Sequence, residues 1–348
     1  MRGGLVIDGA SIDPGARQMV RINVTEDLNG QPVDLVVHGI AGTRPGPTLT
    51  LVSTLHGGEW LPLEFLRRFV TGLDPELMTG NLIVLPVANP VAFLTLSRAT
   101  SQPEADAIDL NRAFPGQWDT IVEQLARAIV EKILSATDYL IDYHGGGFAR
   151  AMGDVSYGLD FPDPAIVSAS KEMAKAFGYY AIQVGNVASE FPGPRSLKGY
   201  SGAKLGIPNI GVEIGAAGMG RDLEEGYLEK LRAGTLSVMK HLGMLPGKPS
   251  YADRYLVFEK RWRVHPTRAG YLLPVLQPEE QGREVRQGEV LGRVFSPYTF
   301  EEVEVLRSPC DGVAFYVCRP YPVRPGDWAF GIADLTHPKT RWVRPDEI

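Results

Sequence analysis

Short apolar runs alternate with amphipathic segments over residues 48–243, and this alternation limits the folds open to the chain. The runs have the composition of strands buried on both faces, while the segments between them carry apolar residues at helical spacing. This pattern predicts an α/β fold with a largely parallel or mixed sheet flanked by helices. The predicted strands are 48–55, 81–89, 138–144, 179–184 and 207–215, and the predicted helices are 61–73, 121–134, 165–177 and 223–243.

Two changes of pattern divide the chain. Residues 244–254 are rich in proline and glycine and indicate a linker, and the stretch from 255 to 335 contains short strands broken by turns with no helical pattern. Residues 18–40 form two short predicted strands around Asn29-Gly30, a typical hairpin turn. We therefore expect a domain at 1–246, in which 1–45 is a β-hairpin extension, and a small all-β domain at 250–348.

The predicted all-β domain has a recurring pattern of glycine, valine and Gly-Asp turns. The succession G-x-x-V-x-x-G-x-x-L-G, S-P-x-D-G and V-x-x-G-D resembles the flattened barrel of biotinyl and lipoyl carrier domains. Those carriers present a lysine at a hairpin tip, and the corresponding stretch 294–309 contains no lysine. We therefore expect a structural or lid-like domain and not a carrier.

The bulk composition narrows the partners and the compartment. The net charge is −6 and the pI about 5.6, which argues against nucleic acid and anionic membranes as main partners. No apolar run approaches the roughly 18 residues that span a bilayer, and the N-terminus lacks a signal-peptide pattern. Cys310 and Cys318 have no zinc-type spacing and are expected to be buried thiols, which predicts a reducing, cytoplasmic location.

Four groups of polar side chains fall at strand ends in the first predicted domain. In open α/β sheets, functional residues collect at the carboxyl ends of the strands, so these groups are candidates for one site. They are His56 with Glu59 in TLHGGEW, Asp109 with Asn111 and Arg112 in DLNRAFPG, Asp142 with His144 in DYHGGG, and Glu213 in GVEIGAAG.

Three of these residues have the donor types of a catalytic zinc site. Such a site takes three protein ligands and leaves one position open for water. His56, Glu59 and His144 supply two imidazoles and one carboxylate, and the glycines between the first two let the backbone pass close to an ion. Asp142 is two residues before His144 on the same strand face and could orient a ligand imidazole. The sequence thus predicts one Zn²⁺ per chain.

The remaining polar residues have the chemistry of a hydrolase. Glu213 is a carboxylate in an apolar strand, and a base near a zinc-activated water needs that type of position. Arg112 offers paired donors for a substrate carboxylate, and Asn111 adds an amide donor. Arg98 is on the segment leading into this loop and could polarise the scissile carbonyl.

Each signal taken singly also has a structural interpretation. The His-x-x-Glu pair could be ordinary polar residues at a strand end, and Asn111 with Arg112 could cap a loop. Glu213 could form an ion pair, for example with Lys204. The other histidines lack matching partners and are expected to have no role in the site; they are His38, His241, His265 and His337.

The order of these motifs resembles the succinylglutamate desuccinylase/aspartoacylase family, a branch of the zinc-carboxypeptidase-like superfamily. The resemblance covers roughly residues 48–241 and rests on HGGE, DLNRAFPG, DYHGG and GVEIG, and the predicted β domain is similar to the second domain of that family. It implies a zinc-carboxypeptidase-like sheet. It further implies that His56, Glu59 and His144 bind zinc, that Glu213 is the general base and acid, that Asn111 and Arg112 hold a substrate carboxylate, and that Arg98 polarises the carbonyl.

The same resemblance implies hydrolysis of the amide of a small N-acyl amino acid, with an N-acetyl or N-succinyl acyl group. A metallocarboxypeptidase acting on short peptides and a non-catalytic zinc- or anion-binding homologue are the alternatives. The acyl group, the amino acid and the native divalent ion stay open, and a homo-oligomer is expected. Four acidic residues could favour a cationic substrate side chain or could simply be solvated, namely Glu190, Asp222, Glu224 and Glu225.

Overall fold

The computed structural model describes residues 4–102, 105–117, 119–190 and 192–348. Its helices are α1 (Leu61–Gly72), α2 (Pro90–Leu94), α3 (Ile121–Ala128), α4 (Pro164–Phe177), α5 (Leu197–Leu205) and α6 (Arg221–His241). The strands of the first 250 residues are β1 (Leu5–Ile7), β2 (Ala10–Ile12), β3 (Arg17–Glu26), β4 (Pro32–Ala41), β5 (Arg44–Ser53), β6 (Thr79–Leu85), β7 (Thr100–Gln102), β8 (Ala105–Ile108), β9 (Tyr139–His144), β10 (Arg150–Gly158), β11 (Ala181–Gly185) and β12 (Asn209–Gly215). The later strands are β13 (Tyr255–Phe258), β14 (Arg261–Val264), β15 (Gly270–Pro274), β16 (Glu284–Val285), β17 (Val290–Phe295), β18 (Glu302–Arg307), β19 (Gly312–Cys318), β20 (Tyr321–Val323), β21 (Phe330–Asp334) and β22 (Arg341–Val343).

A mixed sheet forms the centre of the molecule. Its strands run in the order β11, β10, β12, β9, β5, β6, β4 and β3. The pairs β12–β9, β9–β5 and β5–β6 are parallel, whereas β10–β12, β4–β6 and β3–β4 are antiparallel. Because β5, β9 and β12 run in one direction, their carboxyl ends meet at one edge of the sheet.

Alternating side chains of the central strands fill two separate cores. Leu51 and Val84 belong to one cluster, with apolar residues of α1, α4 and α6, whereas Val52 and Leu85 belong to the other, with α3 and the N-terminal strands. This division follows from the two-residue period of a strand, which sends successive side chains to opposite faces. The predicted α/β fold with a mixed sheet flanked by helices is confirmed.

The predicted strands and long helices are present, with end points shifted by a few residues. The predicted helix 121–134 is interrupted, because α3 ends at Ala128 and continues as a π turn over Ile129–Ile133 and a 3-10 turn over Leu134–Ala136. Two elements of the structure were not predicted, β10 and α5. Both contain glycine and serine at positions where an apolar repeat would have signalled a strand or a helix, so neither has the expected pattern.

The segment after α6 is built from strands, with no α-helix among its residues 242–348, all of which are described. Some of these strands join the central sheet: β13 pairs parallel with β11, β22 pairs with β13, and β19 pairs with β10. The others include a four-stranded antiparallel sheet in the order β18, β17, β15 and β20. The domain boundary near 246–250 and the likeness to a carrier barrel stay predictions, and the central sheet crosses that boundary.

Two smaller expectations can be compared directly with the structure. Cys310 and Cys318 are buried and unpaired, as predicted. The hairpin around Asn29-Gly30 is also present, as β3 and β4. Among the described residues, no helix has both the length and the apolar character needed to cross a bilayer.

Candidate active site

The polar groups predicted from sequence meet at the carboxyl ends of β5, β9 and β12. His56 and Glu59 are on the turn that follows β5, His144 is the last residue of β9, and Glu213 is directly beside His144 in the register of β12. The turn after β5 packs closely on the chain below it. A Cβ atom at Gly57 would overlap the backbone carbonyl of Ala92, so only glycine fits there.

His56, Glu59 and His144 form a compact group of donor atoms. One atom from each of them lies within 4.8 Å of the others, and this is the one such cluster of three among the described residues. Glu59 is between the two rings: its Oε1 is 2.9 Å from His56 Nδ1, and its Oε2 is 2.8 Å from His144 Nδ1. Both Nδ1 atoms therefore point to the same carboxylate.

The opposite ring nitrogens face two further carboxylates. His56 Nε2 is 3.1 Å from Asp109 Oδ1, and His144 Nε2 is 3.1 Å from Asp142 Oδ2. The second contact is a close charge pair without the direction of a hydrogen bond, since neither oxygen of Asp142 has a hydrogen-bond partner among the described residues. Each imidazole thus has a carboxylate at both of its nitrogens, which favours the charged ring in the metal-free protein; with a metal ion at Nδ1, the carboxylate at Nε2 would hold the remaining proton.

The imidazoles and carboxylates of this group shift one another's pKa values. Burial opposes ionisation of Glu59, but the charges of His56 and His144 outweigh it and hold the pKa of that carboxyl well below its usual range. Burial likewise opposes the charged form of His144, yet Asp142 and Glu59 outweigh it and raise its pKa well above the usual value. The protein surrounds these imidazoles with negative charge that favours positive charge between them.

Glu213 is in a different environment from Glu59. Burial raises the pKa of Glu213 to about 7, against the opposing charge of His144. A carboxyl group with a pKa near neutrality can both accept and return a proton.

A buried lysine that was not predicted from the sequence, Lys198, lies close to the site. Lys198, near the start of α5, is buried, and its Nζ donates a hydrogen bond of 2.5 Å to Ser156 Oγ. A Cβ atom at Gly211 would overlap this ammonium, so the glycine makes room for it on the sheet. The suggested partner Lys204 is on the exposed end of α5, and Lys198 is the lysine whose charge acts on Glu213. A lysine in a helix is most often solvated, so the sequence held no signal for this one.

The three other predicted residues also line the cavity. The Arg98 side chain is 58% exposed. Its Nη2 donates a hydrogen bond of 3.1 Å to Asp109 Oδ2, and its Nη1 is 3.8 Å from Glu59 Oε1. Asn111 is buried, and its Oδ1 accepts a hydrogen bond from the backbone N–H of Leu197. This bond turns the amide nitrogen of Asn111 toward His144 Nε2, at 3.3 Å. Arg112 borders the cavity beside them.

The cavity has a volume of about 430 Å³ and is closed in part by the C-terminal strands. Arg261, Arg263 and Trp328 line it, although they follow the predicted linker. Arg261 also donates to Gln183 Oε1 at 2.8 Å, which joins the two parts of the chain at the cavity wall. A cavity of this size accommodates a small molecule.

The four acidic residues suggested for a cationic substrate are not part of the lining described for this cavity. Glu225 pairs with Arg68, and Glu224 accepts a hydrogen bond from the backbone of Met219. Glu190 borders a neighbouring, more open cavity, and Asp222 is exposed in the first turn of α6. The buried acid in the lining that the sequence analysis missed is Asp154, on β10.

Comparison with known proteins identifies relatives of the whole fold. A profile described as the succinylglutamate desuccinylase/aspartoacylase catalytic domain matches residues 45–242. The chain is 26% identical over 313 residues to the N-alpha-acetyl-L-2,4-diaminobutyric acid deacetylase of Halomonas elongata, covering 87% of this chain and 85% of that protein.

Solved structures have the same fold. A succinylglutamate desuccinylase/aspartoacylase from Rhodobacter sphaeroides superposes with a TM-score of 0.77 at 23% identity, over 93% of this chain and 97% of that one. The product-bound ectoine utilization protein EutE (DoeB) from Ruegeria pomeroyi gives a TM-score of 0.77 at 20% identity, over 96% of this chain and 100% of that one.

Proposed function

Because this chain belongs to the succinylglutamate desuccinylase/aspartoacylase family, we propose that it is a zinc-dependent hydrolase of the amide bond of a small N-acyl amino acid. One observation carries the proposal: the His56–Glu59–His144 group has a partly buried carboxylate, Glu213, beside it on the adjacent strand. The relative from Halomonas elongata, named as a deacetylase of an N-acetylated amino acid, supports the same class of reaction.

The donor set fits zinc. Two imidazole nitrogens and one carboxylate are the ligands of many catalytic zinc sites, and both Nδ1 atoms point toward Glu59. Asp109 and Asp142 would hold the two rings in place through Nε2. Zinc held by these three residues would supply a Lewis acid that polarises a carbonyl oxygen and lowers the pKa of water.

Glu213 would move the proton. Its carboxylate can take a proton from the attacking water and return it to the nitrogen of the departing amine. Burial brings the pKa of Glu213 to about 7, so both forms are accessible at neutral pH. Glu213 and His144 are directly paired on adjacent strands, so the backbone of the sheet, and not a flexible loop, holds the Glu213 carboxylate next to the three residues that would bind zinc.

Three donors would bind the substrate. The Arg112 guanidinium at the cavity wall suits the substrate carboxylate, and the Asn111 amide, fixed by its bond to Leu197, adds a second donor. Arg98 is the most exposed of the three and is held near the ligand set by Asp109. In that position it would stabilise negative charge that develops on the carbonyl oxygen.

The partly closed cavity favours a small substrate over a peptide. Arg261, Arg263 and Trp328 bring the C-terminal strands into the cavity wall, where they would limit the room for residues beyond the scissile amide. This arrangement favours an N-acyl amino acid hydrolase over the alternative of a metallocarboxypeptidase.

A substrate panel tests the proposal. We would load the protein with zinc and measure amine release from N-acetyl amino acids, N-succinyl amino acids and short peptides, with and without a chelator. Release from one or a few N-acyl amino acids, lost with the chelator, is the expected result. Release from peptides alone would assign a carboxypeptidase, and release that resists the chelator would remove the metal from the reaction.

A further inference from the structure

The turn that carries His56 and Glu59 leaves β5 through a strained residue. Thr54 is buried and has a φ of +56°, in the left-handed region that β-branched residues rarely adopt. Such a conformation costs about 1–3 kcal/mol and persists only where the surrounding structure holds it. The chain around this turn therefore has to supply the contacts that keep His56 and Glu59 in place.

Asn89, the residue that caps the start of α2, supplies contacts of this kind. It is buried, and its backbone N–H donates to the Thr54 carbonyl at 3.1 Å. Its side-chain Nδ2 donates to the Leu55 carbonyl at 3.4 Å. Because these two carbonyls directly precede His56, Asn89 holds the strained turn through both its backbone and its side chain.

The same side chain also fixes the segment that carries Arg98. Its Oδ1 accepts a hydrogen bond of 3.1 Å from the backbone N–H of Ala92 in α2, and one of 3.0 Å from the buried hydroxyl of Thr100. In the sequence, Arg98 lies between these two points of attachment. The Arg98 side chain is 58% exposed, so the position of its guanidinium depends on where the backbone of this segment is held.

The turn and the segment also contact each other directly, close to Arg98. The Gly57 N–H donates to the Ser97 carbonyl at 2.8 Å, and a Cβ atom at Gly58 would come within 3.0 Å of the Leu96 carbonyl. The two pieces of chain therefore pack as one unit, with Asn89 at its buried end.

We propose that Asn89 is a positioning residue that, together with Thr100, sets Arg98 relative to His56 and Glu59. The inference rests on the proposed function, in which Arg98 stabilises the charge that develops on the substrate carbonyl oxygen. A misplacement of about 1 Å in such a group can cost about 100-fold in rate. Asn111 is held separately, by the Leu197 N–H, so binding of the substrate carboxylate should not depend on Asn89.

Thr100→Val tests the part of this unit that holds Arg98. Valine keeps the shape of threonine and removes the hydroxyl that bonds to Asn89, whose Oδ1 keeps its bond from Ala92. With the zinc-loaded protein and the most active N-acetyl or N-succinyl amino acid of the panel, kcat should fall about tenfold while KM stays within about threefold.

Two further variants are the controls. Thr100→Ser keeps the hydroxyl and should recover kcat to within about threefold of the wild type. Thr95→Val removes an exposed hydroxyl of the same segment, whose bonds go to Ala92 and Ser97 and not to Asn89, and it should leave kcat and KM within about twofold.

A double-mutant cycle separates positioning from a general loss of structure. If Thr100 acts through Arg98, Thr100→Val should lower kcat by less than about twofold in a protein that already carries Arg98→Met. A merely structural effect would lower kcat by the same factor with and without Arg98.

Asn89→Ser tests the part of the unit that holds the ligand turn, and it needs no substrate. Serine can still cap α2, but it removes the amide that bonds to Leu55 and Thr100. By calorimetry, zinc should bind this variant about tenfold more weakly than the wild type, and should bind Thr100→Val within about threefold of the wild type. Thermal unfolding checks that each variant folds.

Three results would overturn the inference. They are a fall in kcat from Thr100→Val that is the same with and without Arg98, a fall of equal size from Thr95→Val, and an unchanged zinc affinity in a folded Asn89→Ser. If Asn89→Ser did not fold, the Thr100→Val cycle would decide. If the wild type bound zinc but hydrolysed nothing in the panel, the proposed function would fail, and the zinc affinity of Asn89→Ser would decide whether Asn89 positions the ligands.

Discussion

Lys198→Met removes a buried ammonium next to the active-site carboxylates and keeps a side chain of similar length. The lysine is 7% exposed, donates to Ser156 Oγ, and its charge acts on three carboxylates, those of Asp142, Glu213 and Asp154. In the metal-free protein the variant leaves these groups without that counter-charge. We expect the metal-free variant to be clearly less stable than the wild type.

The size of the effect follows from the burial of the group. Removing one partner of a buried contact ion pair costs about 3–5 kcal/mol, a range whose lower end suits Lys198 because its hydrogen bond goes to Ser156 Oγ and its charge acts on the carboxylates without direct contact. Burial lowers the pKa of Lys198, so the lysine itself carries a desolvation cost that methionine avoids, and we take the lower figure, about 3 kcal/mol. With an unfolding entropy of about 2.1 cal/mol/K per residue, a chain of 348 residues loses about 1.4 °C in Tm per kcal/mol. The expected fall in Tm is therefore about 4 °C.

Thermal unfolding of the metal-free and zinc-loaded proteins measures this effect. Lys204→Met is the matched control, because it makes the same change on the exposed end of the same helix and should cost less than about 0.5 kcal/mol. Zinc bound beside these carboxylates would replace part of the lost positive charge. The fall in Tm caused by Lys198→Met should therefore be smaller with zinc than without it.

Two outcomes would refute this reasoning. If the metal-free Lys198→Met and Lys204→Met variants unfolded within about 1 °C of each other, the buried ammonium would not stabilise the cluster. If the Lys198→Met deficit were the same with and without zinc, the metal and the ammonium would not act on the same carboxylates.

Three further predictions concern the ligands, the base and the packing of the sheet. Glu59→Gln should weaken zinc binding at least about 100-fold by calorimetry, whereas Glu64→Gln on α1, whose carboxylate pairs with Arg67 outside the site, should leave it unchanged. Glu213→Gln should keep stoichiometric zinc but lower kcat by about 10²–10⁴-fold, and full turnover would remove this residue from the mechanism. Gly211→Ala places a methyl group on the buried ammonium and should lower the free energy of unfolding by about 1–3 kcal/mol. Gly226→Ala, at a position of α6 with open space around it, should raise the free energy of unfolding by about 0.5–1 kcal/mol, and equal melting temperatures of the two variants would contradict this.

The core of the site could be predicted because its residues interrupt apolar runs. His144 and Glu213 are polar residues in strands that are otherwise buried, and His56 and Glu59 follow such a strand directly. A buried polar group needs a partner, so its presence in the sequence already indicates a site. The parallel arrangement then brings the strand ends together, as the alternation of strands and helices predicted.

Asp154 and Lys198 could not be found in this way. The strand β10 carries glycine and serine beside Asp154, and without an apolar run its aspartate resembles one in a loop. The helix α5 has two glycines and two lysines in nine residues, a composition that gives no amphipathic signal. Their burial depends on which strands pair with β12, and the order of strands in the sheet is not written in any local pattern.

The pairing of strands also explains why a glycine and a lysine belong to the same feature. Glu213 and Gly211 are two positions apart on β12, so both face the cavity side of the sheet. Across the sheet, the Glu213 side chain lies between those of its paired residues, His144 and Asp154. Gly211 is paired with Asp142 and Ser156, and because it has no side chain, a space remains between these two. The ammonium of Lys198 occupies that space, where its positive charge acts on Asp142, Glu213 and Asp154. A side chain at position 211 would displace the ammonium, and Lys198→Met would remove it. Gly211→Ala and Lys198→Met should therefore both lower the stability of the zinc-free protein.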